Sequence, residues 1–350
     1  MKLLRNILLG ISLILASPAN AGESVWVTTD FDFLGHEPQV LTFDASWHRS
    51  LLADFTGGYR RDQVIYNHIN DTVITLGGSY AVRRDMNYFS RTGERLSYTF
   101  DLTGVPAWIH DAMIVKNKFV VGWAGSGSEN EVVFSSALNN PEDRLKTLDL
   151  NSILPDGGFI VSMFCVRNCV FLFDYAGGVI MINFDADSPS ERGPFYFNKP
   201  EFAGIQWASC DGQILWIVKD LTLETWNMST MFPDTWTLSK DLSDQVPSAA
   251  FYVYSTLDGH TIVYSFDRID GFVDENHTGF INLNGADVHR SKPIVINHHN
   301  ILIARKYGEN NRLEVYEWPS SIGGDIPVDV INIENPIVGL FTDFNPRRPH

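Results

Sequence analysis

The stretch "FCVRNCVFLFDYAGG", Phe164 to Gly178, sets two cysteines around a short turn and then runs apolar into a Gly-Gly pair. It reads either as a redox or metal-binding cysteine pair, or as the corner of a β-hairpin. The rest of the chain decides, because the same form recurs. "VIYNHINDTVITLGG", "MIVKNKFVVGWAG", "QWASCDGQILWIVKD", "YVYSTLDGHTIVYSF" and "PIVINHHNILIARKY" each place an apolar strand, a tight polar turn and a second apolar strand in that order. Asn or Gly stands two or three residues before the equivalent apolar positions Val73, Phe119, Val170, Ile214, Ile262 and Leu302, which lie 46, 51, 44, 48 and 40 residues apart. Asn and Gly suit hairpin turns because they adopt positive φ at little cost.

A third strand and a fourth follow each hairpin, as in "NYFSRTGERLSYTFDL" and "EVVFSSALNNPEDRLKTLDL". Four strands in roughly 45 residues is the arithmetic of a propeller blade. "TVITL", "VFLF" and "HTIVYSF" are β-branched and aromatic, which argues against helical repeats of similar length. The expected fold is an all-β, single β-propeller of four-stranded blades. Six units are internal. "PIVGLFTDF" near the C-terminus reads as an innermost strand, and "VWVTTDF", "QVLTFDAS" and "SLLADF" read as outer strands that lack one. Joining them would complete a seventh blade and remove an exposed sheet edge. Six blades is the alternative.

Cys165 and Cys169 then flank the first hairpin turn of the third repeat. With no helix or second cysteine pair beside them, thiol redox chemistry and a zinc site lack support. A cross-strand disulfide between these two is the expectation, with buried core thiols as the alternative. Cys210 is the odd one out.

Residues 1–21 carry Lys2 and Arg5, the apolar run "ILLGISLILA" and a small-residue "ANA" before Gly22, the pattern of a cleaved secretory signal. Residues 22–350 form the propeller domain on this reading, and the protein is expected to be secreted or periplasmic. No other apolar run is long enough to cross a bilayer. Removing Lys2 and Arg5 takes the formal charge from −16 to −18. A surface this acidic repels phosphates and anionic lipid, so neither nucleic acid nor membrane insertion is expected.

"WNMSTMFPDTWTLSKDL", Trp226 to Leu242, resembles the Asp-box turn of sialidase-like propellers, roughly Ser-x-Asp-x-Gly-x-Thr-Trp, with Ser229, Asp234, Thr235 and Trp236 in its places. The spacing is altered and the glycine is missing. "FSRTGERLSYTF" and "WPSSIGGDIPVDV" are fainter echoes. The resemblance implies a propeller fold, with the box between third and fourth strands on the face opposite any active site. It does not supply that family's catalytic set, and no Phe-Arg-Ile-Pro-like segment precedes the first repeat.

In propeller topology, the loops leading into each first strand share one face with those joining second to third strands. Those loops hold Arg60, Arg61, Arg83, Arg84, Arg268, Arg290 and Arg305, the candidate ligand-binding set. Paired guanidiniums there could clamp a carboxylate or sulfate. The competing reading is solvated loop charge offset by Asp62, Asp85 and Asp270. His110-Asp111 enters the second repeat on the same face as a candidate general base. "HHN", His298 to Asn300, reads as a turn, and "NFDADSPSE", Asn183 to Glu191, as a surface acidic loop lacking the glycine and final Glu of a calcium loop. No metal, cofactor or catalytic residue is assigned. Asn70, Asn227 and Asn276 begin glycosylation sequons. The expected function is binding of a glycan or protein ligand at the loop-rich mouth. The alternative is a sialidase-like or related glycoside hydrolase, which needs two facing carboxyl groups, or a tyrosine with a carboxylate, that no spacing here selects.

Overall fold

The computed structural model describes residues 24–342 apart from 31–36, 45, 56–60, 68–69, 79–83, 102–107, 117–118, 127–128, 137–145, 156–157, 187–188, 247–249, 257, 266, 284–286, 289–291, 297–299 and 320–325. At the turn of the third repeat, Arg167 and Asn168 both take left-handed backbone, with φ of 49° and 61°. That is the two-residue turn whose twist matches its strands. Ile160–Val166 and Cys169–Asp174 therefore pair with Val166 opposite Cys169 and Cys165 opposite Val170.

This register corrects the expected disulfide. Side chains alternate across a strand, so opposed positions share a face and neighbouring pairs face away from each other. Cys165 packs with Met113, Trp123 and Leu172 on one side of the sheet, whereas Cys169 packs with Phe171 and Cys210 on the other. All three thiols are buried and none is in a disulfide. Burial, with the Asp185 charge adding to it, pushes Cys169 up to about 11, and burial likewise raises Cys210. Denatured, non-reduced protein should accordingly titrate as three thiols, and native protein should alkylate slowly at neutral pH. A count of one would restore the bridge.

The described strands form seven sheets, six of them contiguous in sequence over residues 61–101, 108–149, 160–198, 205–241, 250–282 and 287–333. Each is an antiparallel meander whose first strand is innermost. The remaining sheet is composite: Ile337–Thr342 is its inner strand, followed by Val25–Thr29, Gln39–Phe43 and Arg49–Asp54. Val25 pairs with Thr342 and Val27 with Leu340, as the closure argument expected. No helix among the described residues is long and apolar enough to cross a membrane.

The apolar runs are continuous because the middle strands are buried on both faces. Phe171 and Phe173 look toward the fourth blade, and Val170 and Leu172 look back toward the second. Every hydrophobic cluster is shared by neighbours in this way. Val73 meets Trp26 of the composite blade, and Val120 of the second meets Tyr88 of the first. Trp216 of the fourth meets Phe272 of the fifth, and Tyr264 of the fifth packs with Ile301 and Tyr316 of the sixth. Leu302 and Val315 of the sixth then pack with Val27 and Phe43, which returns the series to its start. The ring is closed. The blades are also stitched at their inner strands, where Ser162 Oγ donates to the Ala208 carbonyl at 3.1 Å and Ser209 Oγ accepts from Ser255 N–H at 2.9 Å.

Candidate functional site at the ring mouth

The inner strands share a distortion that sets the shape of the opening. In five contiguous blades the pairing with the second strand slips by one residue near the start of the first, between Arg61 and Gln63, Ile109 and Asp111, Ile160 and Ser162, Ile205 and Trp207, and Ala250 and Tyr252. The composite blade repeats it, since Thr29 pairs with Ile337 but Thr28 with Gly339. Asp62, His110, Val161, Gln206, Phe251 and Val338 are thus the extra residues of six equivalent β-bulges. In the sixth blade the inner strand is broken at the same level, with Val288 paired to Arg305 and Ile294 to Leu302. A bulge bends its strand and re-aims the residues beside it, and bulges concentrate at rims and binding sites. Here they form a rim at the mouth face.

Those bulge residues whose side chains are described are all at least partly exposed. His110 stacks on Trp123 with ring centroids 4.4 Å apart, and its carbonyl accepts from Gln63 Nε2 of the first blade at 3.0 Å. The most developed part of the rim runs over blades four to six. Trp207 and Tyr252 occupy equivalent positions just after their bulges, with ring centroids 5.2 Å apart and planes tilted by 54°. Lys292, in the break of the sixth blade's inner strand, lays its Nζ over the Trp207 ring at 3.1 Å and lies 5.3 Å from the Tyr252 centroid. Beside the mouth, Phe159 and Tyr175 of the third blade stack at 5.1 Å although each is more than two-fifths exposed. Beneath them Asp174 is fully buried. Burial pushes its carboxyl up, and the amides of Ala176, Phe159 and Tyr175 hold it partly down. None of these aromatic residues was singled out from the sequence, because a bulge is a backbone event with no residue signature.

The arginine set divides. Arg60, Arg83 and Arg290 lie outside the described residues. Arg61 and Arg84 begin strands at the mouth end of the first blade, opposite Gly77 and Gly78 respectively. The other two are corrections, since the structure commits both to partners inside the protein. Arg305 is 3% exposed; its Nη2 donates to the Leu283 carbonyl at 2.9 Å and its Nη1 lies 3.9 Å from Glu314, itself buried. Tyr307 and Tyr316 donate to the same carboxylate at 2.7 and 2.8 Å. Burial pushes Tyr264, beside this network, up to about 12, with the Arg305 charge opposing it. Arg268 is forked onto the fully buried Asp270, its Nε 2.8 Å from Oδ2, while His277 Nε2 approaches Oδ1 at 2.8 Å. Both guanidiniums thus already have acceptors inside the protein.

Other sequence candidates resolve as turns. The segment resembling an Asp-box joins the third and fourth strands of the fourth blade, on the face opposite the mouth. Trp236 is buried and donates to the Thr230 carbonyl at 2.9 Å, while Asp234 is exposed. Asp185 accepts from Asn168 and meets Lys116 at 3.3 Å, which ties "NFDADSPSE" to the neighbouring hairpin turn. His298 lies outside the described residues, and Asn70, Asn227 and Asn276 are exposed.

No family model matches the chain, and no curated protein matches it. Among solved structures it is similar to a candidate 6-phosphogluconolactonase from Bacteroides fragilis, with a TM-score of 0.64 at 13% identity over 93% of this chain and 99% of that one. A second candidate 6-phosphogluconolactonase, from Bacteroides uniformis, gives 0.67 at 13% identity over 92% and 99%. AztD of Citrobacter koseri gives 0.59 at 10% identity over 91% and 98%. Likeness over nearly whole chains at so low an identity establishes what is shared, which is the β-propeller fold.

Proposed function

We propose that this chain is an exported binding protein that takes a glycan or protein ligand at the mouth of its ring. The observation that carries this reading is the rim. The same backbone distortion recurs around the opening, and where it is most developed it sets the half-buried Trp207 against the buried Tyr252. Flat rings beside a concave opening give a ligand large contact area at low entropic cost. Arg61 and Arg84, at the mouth end of the first blade, supply positions from which an acidic group on such a ligand would be met. Catalysis is the weaker reading. Of the carboxylates described near the mouth, Asp174 and Asp270 are fully buried and Asp111 beside His110 is half-buried, while exposed ones such as Asp267 and Glu309 stand on turns of different blades.

Purified protein should be titrated with sialylated and neutral oligosaccharides and followed by calorimetry. Trp207→Ala is expected to weaken binding at least tenfold, the order of loss for a stacked aromatic anchor. Equal binding by wild type and Trp207→Ala would remove this part of the rim from the site. Turnover of a fluorogenic sialoside or of 6-phosphogluconolactone by the same preparation would replace binding with hydrolysis. For export, the mature N-terminus should be Gly22; an intact Met1 would end that half of the proposal.

A further inference from the structure

We infer that the Trp207–Tyr252 pair is a recognition site for an alkylammonium group, occupied in this structure by the chain's own Lys292. The inference rests on reading the mouth as a binding site and names the chemistry of one part of it.

Ring faces carry negative electrostatic potential and attract cations, with indole the strongest. Two tilted rings 5.2 Å apart form a corner whose inner wall is Tyr252, only 6% exposed, and whose outer face is the half-buried Trp207; an ammonium already lies 3.1 Å from the centroid of the indole. That ammonium belongs to the sixth blade, whereas Trp207 belongs to the fourth. The contact therefore bridges across Tyr252 of the fifth blade and is not a product of sequence proximity. Lys292 sits where the inner strand of its blade is broken, at the level of the rim, and it is exposed. It is a tethered occupant that solvent can reach. A lysine ammonium is compact and strongly hydrated, and its three N–H donors find no matching acceptor on a ring face. A methylated or quaternary ammonium has less hydration to lose and more surface to press on both rings, so it is the better occupant. The acidic chain raises the local concentration of such cations at low salt.

The opposite reading is that Lys292 recruits an anion, with the rings only positioning it. Removing the lysine gives opposite signs in the two cases. If Lys292 fills the corner about nine-tenths of the time, its removal raises apparent affinity for a cation about tenfold. Removing an anion's partner lowers affinity instead.

Tetramethylammonium and Nε-trimethyl-lysine should be titrated by calorimetry into wild type, Lys292→Ala, Trp207→Ala and Trp207→Phe, with thermal melts checking that each variant is folded. The expected result is tenfold tighter binding of both probes to Lys292→Ala and loss of binding in Trp207→Ala. Trp207→Phe, which keeps a ring, should be intermediate. Unchanged or weaker binding to Lys292→Ala overturns the inference, as does failure of both probes to bind any variant. Should those probes fail while an oligosaccharide still binds wild type in a Trp207-dependent way, the mouth reading stands and the cation reading falls. If Trp207→Ala does not fold, Tyr252→Ala takes its place with the same expected loss.

Discussion

A chain ending at Asn335 is expected to lose cooperative folding altogether. The truncation removes Ile337–Thr342, the inner strand of the composite blade, and with it Ile337 and Leu340 from a cluster shared with the sixth blade. Each buried aliphatic side chain is worth about 1.5–3 kcal/mol. The loss does not stop there. Val25–Thr29 would become an unpaired edge, and the first and sixth blades would lose the neighbour that closes the ring between them. Against a typical total of about 5–15 kcal/mol, this removes most of the margin. Size-exclusion chromatography should find aggregate in place of monomer, and a far-UV melt should show no sigmoidal transition. Adding a peptide of residues 336–350 in trans should recover part of the folded signal. A truncated monomer melting within a few degrees of the full chain would show that the ring stands without its closing strand.

Asp270→Ala is expected to give one of the largest point-substitution losses. The carboxylate is fully buried, forked by Arg268 and approached by His277, and Arg268 also lies 4.0 Å over the Phe280 ring. Removing one partner leaves a poorly exposed guanidinium uncompensated, which costs about 3–5 kcal/mol. In a domain of this size that corresponds to a fall in Tm of roughly 5–10 °C. Replacing the pair together, as Arg268→Met with Asp270→Leu, should recover part of the loss because no unpaired charge then remains. Thermal melts of the wild type and both variants at one pH decide it. A double variant no better than Asp270→Ala would mean that packing around His277, and not charge, sets the cost.

The sheets and their closure were legible because hairpin turns and continuous apolar strands are local signals. The proposed site was legible only as a face. Arg305 illustrates why. It looks like loop charge at the end of "ILIARKY", yet Ile301 and Ile303 precede it on the same side of the strand, and both are buried. Strict alternation carries Arg305 inward with them, onto Glu314 of the next strand. Arg268 obeys the same parity with Asp270 and Phe272. The cysteines were misjudged for the same reason: a two-residue turn at Arg167–Asn168 opposes Val166 to Cys169, so parity alone separates the thiols. The aromatic corner is a different case. Trp207, Tyr252 and Lys292 lie far apart in the chain, and their meeting depends on the strand irregularities that bring three blades to one rim.

Those irregularities also remove a degeneracy. A ring of equivalent blades would offer a ligand as many indistinguishable rotational settings as it has blades. Here one backbone position, visited six times, carries Asp62, His110, Val161, Gln206, Phe251 and Val338, and the remaining blade breaks its strand there instead. No rotation about the axis maps that set of side chains onto itself. The mouth therefore has a heading, like a dial with a single mark. A guest that touches both the aromatic arc of blades four to six and the strand ends of the first blade has one orientation in which its two ends agree with the ring.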